Sequence, residues 1–186
     1  MEDGEKQEKV QGPIGPTHLL KEEHRGTLLK LELLERALLY LLRPAEETTL
    51  ERVEIEKDLL KDLAVALDKE IGLHFRKEEE ALFPILAEYI GKEYGPIEVM
   101  LREHEKICAA FVHWKKIVSP FCRSGAPIDE AVRKVVLDPG LRLVNLLRLH
   151  IQKENQILFE ISESSLTGEE KKEVIRRIHA ISAEEK

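Results

Sequence analysis

Two stretches of this sequence repeat one pattern: His74-Phe75-Arg76-Lys77-Glu78 and, later in the chain, His150-Ile151-Gln152-Lys153-Glu154. In both stretches a glutamate follows the histidine by four positions, and a Leu-Phe pair stands four and five positions after the glutamate. Residues four apart lie one turn above each other on the same face of an α-helix, so each stretch can aim an imidazole and a carboxylate at a common point. Two such helices facing each other in a bundle would form a metal site with nitrogen and oxygen ligands.

The pattern extends to one further histidine in each half of the chain. His24 precedes His74 by 50 residues, and His104 precedes His150 by 46. Each half therefore reads as a helical hairpin with a lone histidine on its first helix and a His-x-x-x-Glu pair on its second. Packing the two hairpins together would bring six side chains to a similar depth. These are the candidate metal ligands: His24, His74, Glu78, His104, His150 and Glu154.

Composition narrows the class of protein. The chain has 186 residues, of which 42% are hydrophobic and 35% charged, and this predicts one domain built from amphipathic helices. A formal net charge of −7 argues against a nucleic-acid partner. The sequence has no apolar run long enough to cross a membrane, no secretory signal and only two cysteines, so we expect a cytoplasmic protein with no membrane partner. A monomer and a homodimer remain equally open.

Hydrophobic spacing predicts an all-α fold, an up-down four-helix bundle with an additional C-terminal helix. The first helix spans about residues 16–43. The second starts at a capping box formed by Thr48 and Glu51, and Pro84 is expected to kink it before it ends ahead of Gly91.

The remaining helices are placed by prolines and by a second capping box. The third helix is predicted to end near Ser119-Pro120. The fourth is predicted over about residues 141–162, because a proline disfavours the helical conformation of the residue before it and Asp138-Pro139-Gly140 therefore reads as a break. A Thr167–Glu170 capping box begins the fifth helix.

These elements predict a simple domain organisation. Residues 1–13 are polar and charged and are expected to form a disordered N-terminal tail. Residues 14–186 are expected to form the helical bundle domain, with a core over 16–162 and a peripheral C-terminal helix over 167–183.

Each part of the ligand pattern has a plain structural interpretation when taken alone. A single His-x-x-x-Glu pair is usually a surface pair, and a lone histidine on an apolar face is more often a hydrogen-bonded core residue. The combination favours a site, because Glu78 and Glu154 both share a face with leucines, where an unpaired carboxylate would cost several kcal/mol. His18, His113 and His179 fall outside the pattern, and we interpret them as surface or structural residues.

Together these segments resemble the hemerythrin-like, or HHE cation-binding, domain family. The matching pieces are LLKEEH around His24, HFRKEEEALFP around His74, MLREH around His104 and HIQKENQILF around His150. The resemblance covers roughly residues 16–162. It implies a non-haem centre of two iron ions, with the four histidines as terminal ligands and Glu78 and Glu154 as bridging carboxylates. Zinc or manganese would also suit this donor set.

One position departs from the oxygen-carrying members of that family. Those proteins have a second histidine one turn after the first on the third helix, where this chain has Cys108. The ligand set is more similar to that of bacterial di-iron proteins linked to iron–sulfur cluster repair and nitric oxide stress. Those proteins also carry a cysteine-containing N-terminal segment that nothing in this sequence resembles. Cys108 itself has two interpretations, a small core hydrophobe or a thiol near the metals.

Three functions follow as hypotheses. The first is a di-iron protein that binds or senses O2 or nitric oxide, or handles iron itself, so that its partner is a small diatomic ligand or peroxide. The second is an enzyme at the same site, of the oxidase or peroxidase type or of the kind linked to nitric oxide stress and iron–sulfur repair. The third is an interaction module with a vestigial site. Sustained turnover of peroxide or nitric oxide by the iron-loaded protein would favour the second hypothesis. Equal stability of the metal-free and the metal-loaded protein would favour the third.

Overall fold

The computed structural model describes residues 15–125 and 128–184, and every regular element within those ranges is helical. The α-helices are α1 Pro16–Leu41, α2 Leu50–Lys77, α3 Phe83–Ile90, α4 Pro96–Arg123, α5 Glu130–Val132, α6 Asp138–Lys153, α7 Phe159–Ser165 and α8 Gly168–Glu184, with a 3-10 turn over Ala45–Glu47. Three π-helical turns connect neighbouring helices: α2 continues into α3 through Glu78–Leu82, α5 into α6 through Arg133–Leu137, and α6 into α7 through Glu154–Leu158. The proposed N-terminal tail, residues 1–13, lies outside the described ranges.

The helices pack as an up-down bundle, and the predicted all-α fold class is confirmed. Helix α1 packs against α2 and α6, and α4 packs against the same two helices from the opposite side. Helix α8 is the additional C-terminal helix. It lies against α1, α2 and the first π turn, where Val174, Ile178 and Ile181 are buried. No helix within the described ranges is long and apolar enough to cross a bilayer.

Apolar side chains form two separate clusters along the bundle. On α1, Leu20 belongs to the smaller cluster and Leu31 to the larger one, and His24 lies in sequence between them. His104 on α4 stands between the clusters in the same order, and Glu78 and Glu154 stand between them in the reverse order, as the antiparallel direction of their helices requires. The polar centre is therefore enclosed by hydrophobic packing at both ends.

Two predicted helix boundaries at prolines are wrong. Helix α4 continues past Pro120 to Arg123, because the loss of one backbone donor is outweighed by burial of Phe121 and Cys122 in the larger cluster. The predicted break over residues 138–140 is also absent, since α5, the second π turn and α6 form one continuous rod.

The continuity of this rod has a local explanation. Pro139 stands in the first turn of α6, where its missing N–H leaves little unsatisfied, and the N–H of Asp138 bonds to the carbonyl of Arg133 across the π turn. Gly140 packs so closely on Leu38 and Trp114 that an added Cβ would lie 2.9 Å from Leu38 Cδ1 and 3.1 Å from Trp114 Cζ2. The glycine is therefore a packing residue and does not break the helix.

The helix caps agree with the sequence only in part. The N-cap of α2 is Thr49, whose side chain accepts a hydrogen bond from the N–H of Arg52 at 3.2 Å, so the predicted capping box at Thr48 is one residue early. The capping box of α8 is confirmed: the N–H of Thr167 donates to Glu170 Oε2 at 2.8 Å, and the N–H of Glu170 donates to Thr167 Oγ1 at 3.3 Å.

Candidate metal centre

Both glutamates of the repeated pattern stand at the start of a π turn. Glu78 begins the first π turn and Glu154 begins the third. In both places the histidine four residues earlier lies in regular α-helix, and the Leu-Phe pair marks where the α-helix resumes. A π turn adds one residue to a helical turn and occurs frequently at functional sites. The repeat in the sequence is therefore a repeat in backbone geometry as well.

The structure brings all six candidate ligands together. Their donor atoms form two groups, and within each group all atoms lie within 4.8 Å of one another. One group joins His24 and His74 to both glutamates, and the other joins His104 and His150 to the same two glutamates. We call these two groups position A, with His24 and His74, and position B, with His104 and His150.

Each carboxylate points one oxygen at each position. Glu78 Oε1 lies 3.4 Å from Nε2 of His74 in position A, and its Oε2 lies 3.4 Å from Nε2 of His104 in position B. Glu154 does the same, with Oε2 3.2 Å from Nε2 of His24 and Oε1 3.1 Å from Nε2 of His150. This is the arrangement in which two carboxylates bridge two cations.

The outward ring nitrogen of every histidine has a hydrogen-bond acceptor, which fixes how the ring is turned. A proton on Nδ1 that is donated outward leaves the lone pair of Nε2 facing the centre. The four Nδ1 contacts are His74 to Glu23 Oε2 at 2.8 Å, His104 to Glu79 Oε1 at 2.6 Å, His150 to Glu103 Oε2 at 3.1 Å, and His24 to Asn155 Oδ1 at 3.0 Å.

Three of the four supporting acceptors have a signal in the sequence. Glu23, Glu79 and Glu103 stand directly beside candidate ligands, whereas Glu22, two residues before His24, is half-exposed and pairs with Arg25. Asn155 was missed. The available signal was its position directly after Glu154, equivalent to the position of Glu79 in the other half.

The residues present fit a pair of bound cations. Glu78 and Glu154 are fully buried, and among the described residues none of their four oxygens has a hydrogen-bond partner. Nε2 of His104 and Nε2 of His150 also have none. A buried carboxylate without a partner costs several kcal/mol, and a bound cation would remove that cost. The Nε2 atoms of His24 and His74 are 2.9 Å apart, close to the roughly 3 Å expected for two ligands at right angles about 2.1 Å from one metal ion.

The centre has a strong preference for positive charge. Burial alone would lower the pKa of His74, but the Glu78 carboxylate and the hydrogen bond to Glu23 raise that pKa to about 10. Burial is likewise outweighed at His104, where the nearby carboxylates of Glu154 and Glu78 and the hydrogen bond to Glu79 raise the pKa to about 11. The pKa of Glu154 is held well below its usual range by the surrounding histidines, although burial opposes this. Without a metal the carboxylates therefore hold protons on His74 and His104.

Aromatic rings enclose the histidines on the side of the apolar clusters. Phe75 stacks on His104 with ring centroids 3.7 Å apart, and Phe83 lies on the same imidazole at 5.8 Å. Phe159 stacks on His24 at 5.3 Å. The three phenylalanines are buried, so they restrict water and hold two of the imidazoles in plane.

The interpretation of Cys108 as a core hydrophobe is wrong, and its interpretation as a thiol that ligates the metals has no support among the described residues. The side chain is exposed on the outer face of α4, so it is not a core hydrophobe, and it belongs to neither ligand group. The face of α4 that turns inward after His104 is continued by Ile107 and Phe111. His18, His113 and His179 are exposed, as predicted.

The comparisons with known proteins agree with this geometry. The model of the hemerythrin HHE cation binding domain matches residues 15–162. Curated relatives include the iron–sulfur cluster repair protein YtfE of Salmonella typhimurium, 30% identical over 125 residues, and that of Enterobacter sp. strain 638, 32% identical over 124 residues. Each alignment covers 61% of this chain and 53% of the relative, so the chain spans about half the length of the curated relatives that it matches. No solved structure matches.

Proposed function

This chain belongs to the hemerythrin HHE cation-binding domain family, and on that premise we propose that it binds two non-haem iron ions at positions A and B. We further propose that it uses them to bind O2 or nitric oxide or to handle iron itself, as a sensor, scavenger or store. The observation that supports this most strongly is the pair of fully buried carboxylates, Glu78 and Glu154, each with one oxygen toward each histidine pair.

The donor set supports iron over softer metals. Both positions offer only imidazole nitrogen and carboxylate oxygen, a set that suits iron, zinc and manganese, and Cys108 lies outside them. The names of the relatives, iron–sulfur cluster repair proteins, favour iron among the three. When bound, two ferrous ions with six protein ligands supply electrons and free coordination positions for a small diatomic molecule.

The side chains of this protein define what such a site can do. Glu78 and Glu154 bring four oxygens and two negative charges to a centre enclosed by apolar clusters, and this stabilises an oxidised, more positive state. Glu23, Glu79 and Glu103 orient three of the imidazoles and raise their basicity. Phe75 and the other phenylalanines that stack on the histidines restrict access to the centre, so that only small molecules reach it.

A gas-titration experiment tests this proposal. The protein is loaded anaerobically with ferrous iron and exposed to measured amounts of O2 or nitric oxide while its optical spectrum is recorded. A stoichiometric spectral change that saturates supports the sensor or scavenger, whereas repeated consumption of peroxide or nitric oxide with an electron donor supports an enzyme of the oxidase or peroxidase type.

The control for this titration is a matched pair of double variants. Glu78→Gln/Glu154→Gln removes both bridging charges, and Glu88→Gln/Glu105→Gln makes the same chemical change at two exposed glutamates. The spectral change should disappear in the first and persist in the second. An unchanged spectrum on gas addition to the iron-loaded wild type would contradict gas binding and leave iron handling as the function.

Iron–sulfur cluster repair is the second candidate, and the names of the relatives support it. Because the chain spans about half of those proteins, the activity of the whole relatives does not transfer automatically. The test is an iron–sulfur enzyme inactivated by peroxide and incubated with the iron-loaded protein under reducing conditions. Recovery that exceeds the recovery with the same amount of free ferrous iron, and that is lost in Glu78→Gln/Glu154→Gln, would support repair.

A vestigial site has little support. A centre that no longer bound metal would be under no constraint to keep six polar atoms of four side chains buried without partners, since apolar residues of similar volume would stabilise the bundle as well or better. Equal thermal stability of metal-free and iron-loaded protein would nevertheless favour that hypothesis.

A further inference from the structure

The two halves of the centre match residue by residue, with one exception. Each ligand and each supporting group of one half has a counterpart of the same type in the other: His24 and His104, His74 and His150, Glu78 and Glu154, Glu23 and Glu103, Lys77 and Lys153. The exception is the residue after each bridging glutamate. It is Glu79 in the first half and Asn155 in the second.

This exception makes positions A and B electrostatically different. In position B, Nδ1 of His104 contacts a carboxylate oxygen of Glu79 at 2.6 Å. In position A, Nδ1 of His24 contacts the uncharged amide oxygen of Asn155 at 3.0 Å. A carboxylate behind a ligating imidazole raises its basicity and its affinity for a cation, and a neutral amide does so less. Position B therefore has one more negative charge within hydrogen-bond distance of its ligands.

The two lysines of the centre add to the difference. Lys77 Nζ contacts Glu23, which orients His74 in position A, and only 6% of the Lys77 side chain is exposed. Lys153 Nζ makes the equivalent contact with Glu103 behind position B, but 41% of its side chain is exposed. The charge of a buried ammonium is screened less by water, so Lys77 opposes a cation in position A more than Lys153 opposes one in position B.

Access from solvent also differs. A surface cavity of about 260 Å³ between α1 and α2 is lined by Glu23, Thr27, Glu70, His74 and Lys77. This cavity reaches a ligand of position A. His74 is correspondingly the most exposed of the four histidines, at 8%, whereas the histidines of position B are 1–2% exposed.

We propose that position A is the exchangeable metal position and that position B retains its ion, with Asn155 and Lys77 as the residues that weaken position A. This inference rests on the proposed two-metal site and adds which of the two ions is released. The exchanging species is a divalent transition-metal cation, and it leaves through the cavity beside His74 that Glu23 and Glu70 line.

A chelation experiment on the full chain tests this. Protein loaded anaerobically with ferrous iron is mixed with a coloured ferrous chelator, and the colour is followed over time. Two equivalents of iron should be released in two phases of equal amplitude, with rates at least about tenfold apart. Fewer than two equivalents bound before mixing would contradict the proposed two-metal site itself, and two bound equivalents that are released in a single phase would overturn this inference alone.

Four variants assign the phases. Asn155→Asp places a carboxylate behind His24 and should slow the fast phase by about tenfold or more, while Glu79→Gln removes the carboxylate behind His104 and should accelerate the slow phase by a similar factor. Lys77→Gln should slow the fast phase, and the matched change Lys153→Gln should slow the slow phase by a smaller factor. A merely structural effect would shift both phases together.

Circular dichroism and the amount of iron bound before mixing show whether each variant is folded and loaded. The inference is overturned if Asn155→Asp leaves the fast phase unchanged, or if Glu79→Gln accelerates the fast phase and not the slow one. Because the substitutions at 79 and 155 act in opposite directions on different phases, misfolding of one variant leaves the other as a complete test.

Discussion

The Nε2 atoms of His24 and His74 lie 2.9 Å apart on two adjacent helices, and the Nδ1 atom of each ring faces a hydrogen-bond acceptor. If both Nδ1 atoms keep their protons, two nitrogen lone pairs face each other in a buried centre. That arrangement is repulsive unless a cation or a proton lies between the rings. The same reasoning applies to the orphaned oxygens of Glu78 and Glu154, and the predictions that follow test its consequences.

Metal binding should stabilise the fold strongly. A ligand that binds only the native state adds about 2.7 kcal/mol to the free energy of unfolding when its free concentration is 100 times Kd. We expect the midpoint of thermal unfolding to rise on loading with ferrous iron under anaerobic conditions. The Glu78→Gln/Glu154→Gln variant should show no rise, and the exposed pair Glu88→Gln/Glu105→Gln should behave like wild type.

The metal-free protein should lose stability at alkaline pH. The pKa of His74 is raised from 6.5 to about 10 and that of His104 from 6.5 to about 11, so the folded state holds protons that the unfolded state has released. The resulting stability is fully present below pH 6.5 and is lost as the pH rises through about 10.

Chemical denaturation of the metal-free protein at pH 6 and pH 9.5 measures this effect as a fall in the unfolding midpoint. Lysine and tyrosine also titrate near the upper end of this range, so a His74→Gln/His104→Gln variant serves as the reference. The decline with pH should be clearly smaller in that variant. An equal decline in both proteins would mean that the histidines do not hold the protons.

Two glycines in helices should respond oppositely to alanine. A Cβ on Gly140 would approach the fully buried Leu38 and Trp114, and the Trp114 indole is held by a hydrogen bond from Nε1 to the carbonyl of Val136 at 2.9 Å. Gly140→Ala should therefore destabilise the protein by about 1–3 kcal/mol through overpacking. Nothing lies within 4 Å of a Cβ on the exposed Gly72, so Gly72→Ala should stabilise by about 0.5–1 kcal/mol. Denaturant unfolding of the two variants measures both signs.

Cys108 should be dispensable for metal binding. Its thiol is exposed and lies outside both ligand groups, so Cys108→Ser should leave the metal content and the optical spectrum unchanged. In wild type a thiol reagent should modify Cys108 well before the buried Cys122, whose pKa is raised by burial to about 11. A change in the spectrum of Cys108→Ser would show that the thiol reaches the metals.

The sequence predicted the fold class because leucines at helical spacing identify buried faces regardless of local detail. It failed where local and tertiary effects compete. Pro120 and Pro139 each weaken a helix locally, but burial of Phe121 and Cys122 and the π turn before α6 keep both rods continuous. No π turn was predicted, because hydrophobic periodicity does not distinguish one extra residue in a turn from a regular helix.

In the metal centre, the repeated pattern predicted the ligands, whereas the roles of Cys108 and Asn155, which belong to no repeated pattern, were not predicted correctly. Six ligand candidates could be identified because His74 and His150 introduce the same pattern twice. Cys108 was misplaced, because the buried face of α4 runs from His104 through Ile107 and Phe111, at spacings of three and seven, and leaves the residue at spacing four exposed. Asn155 was missed because an asparagine beside a ligand has no pattern of its own until its contact with His24 is seen.

The most direct test of the central claim is a metal titration. Metal-free protein is titrated anaerobically with ferrous iron, and the bound metal per chain is measured by calorimetry and by elemental analysis after desalting. The account predicts about two equivalents per chain, with binding lost in Glu78→Gln/Glu154→Gln and retained in the matched surface variant Glu88→Gln/Glu105→Gln. Binding of one equivalent or none by the wild type, or undiminished binding by the double bridging variant, would contradict it.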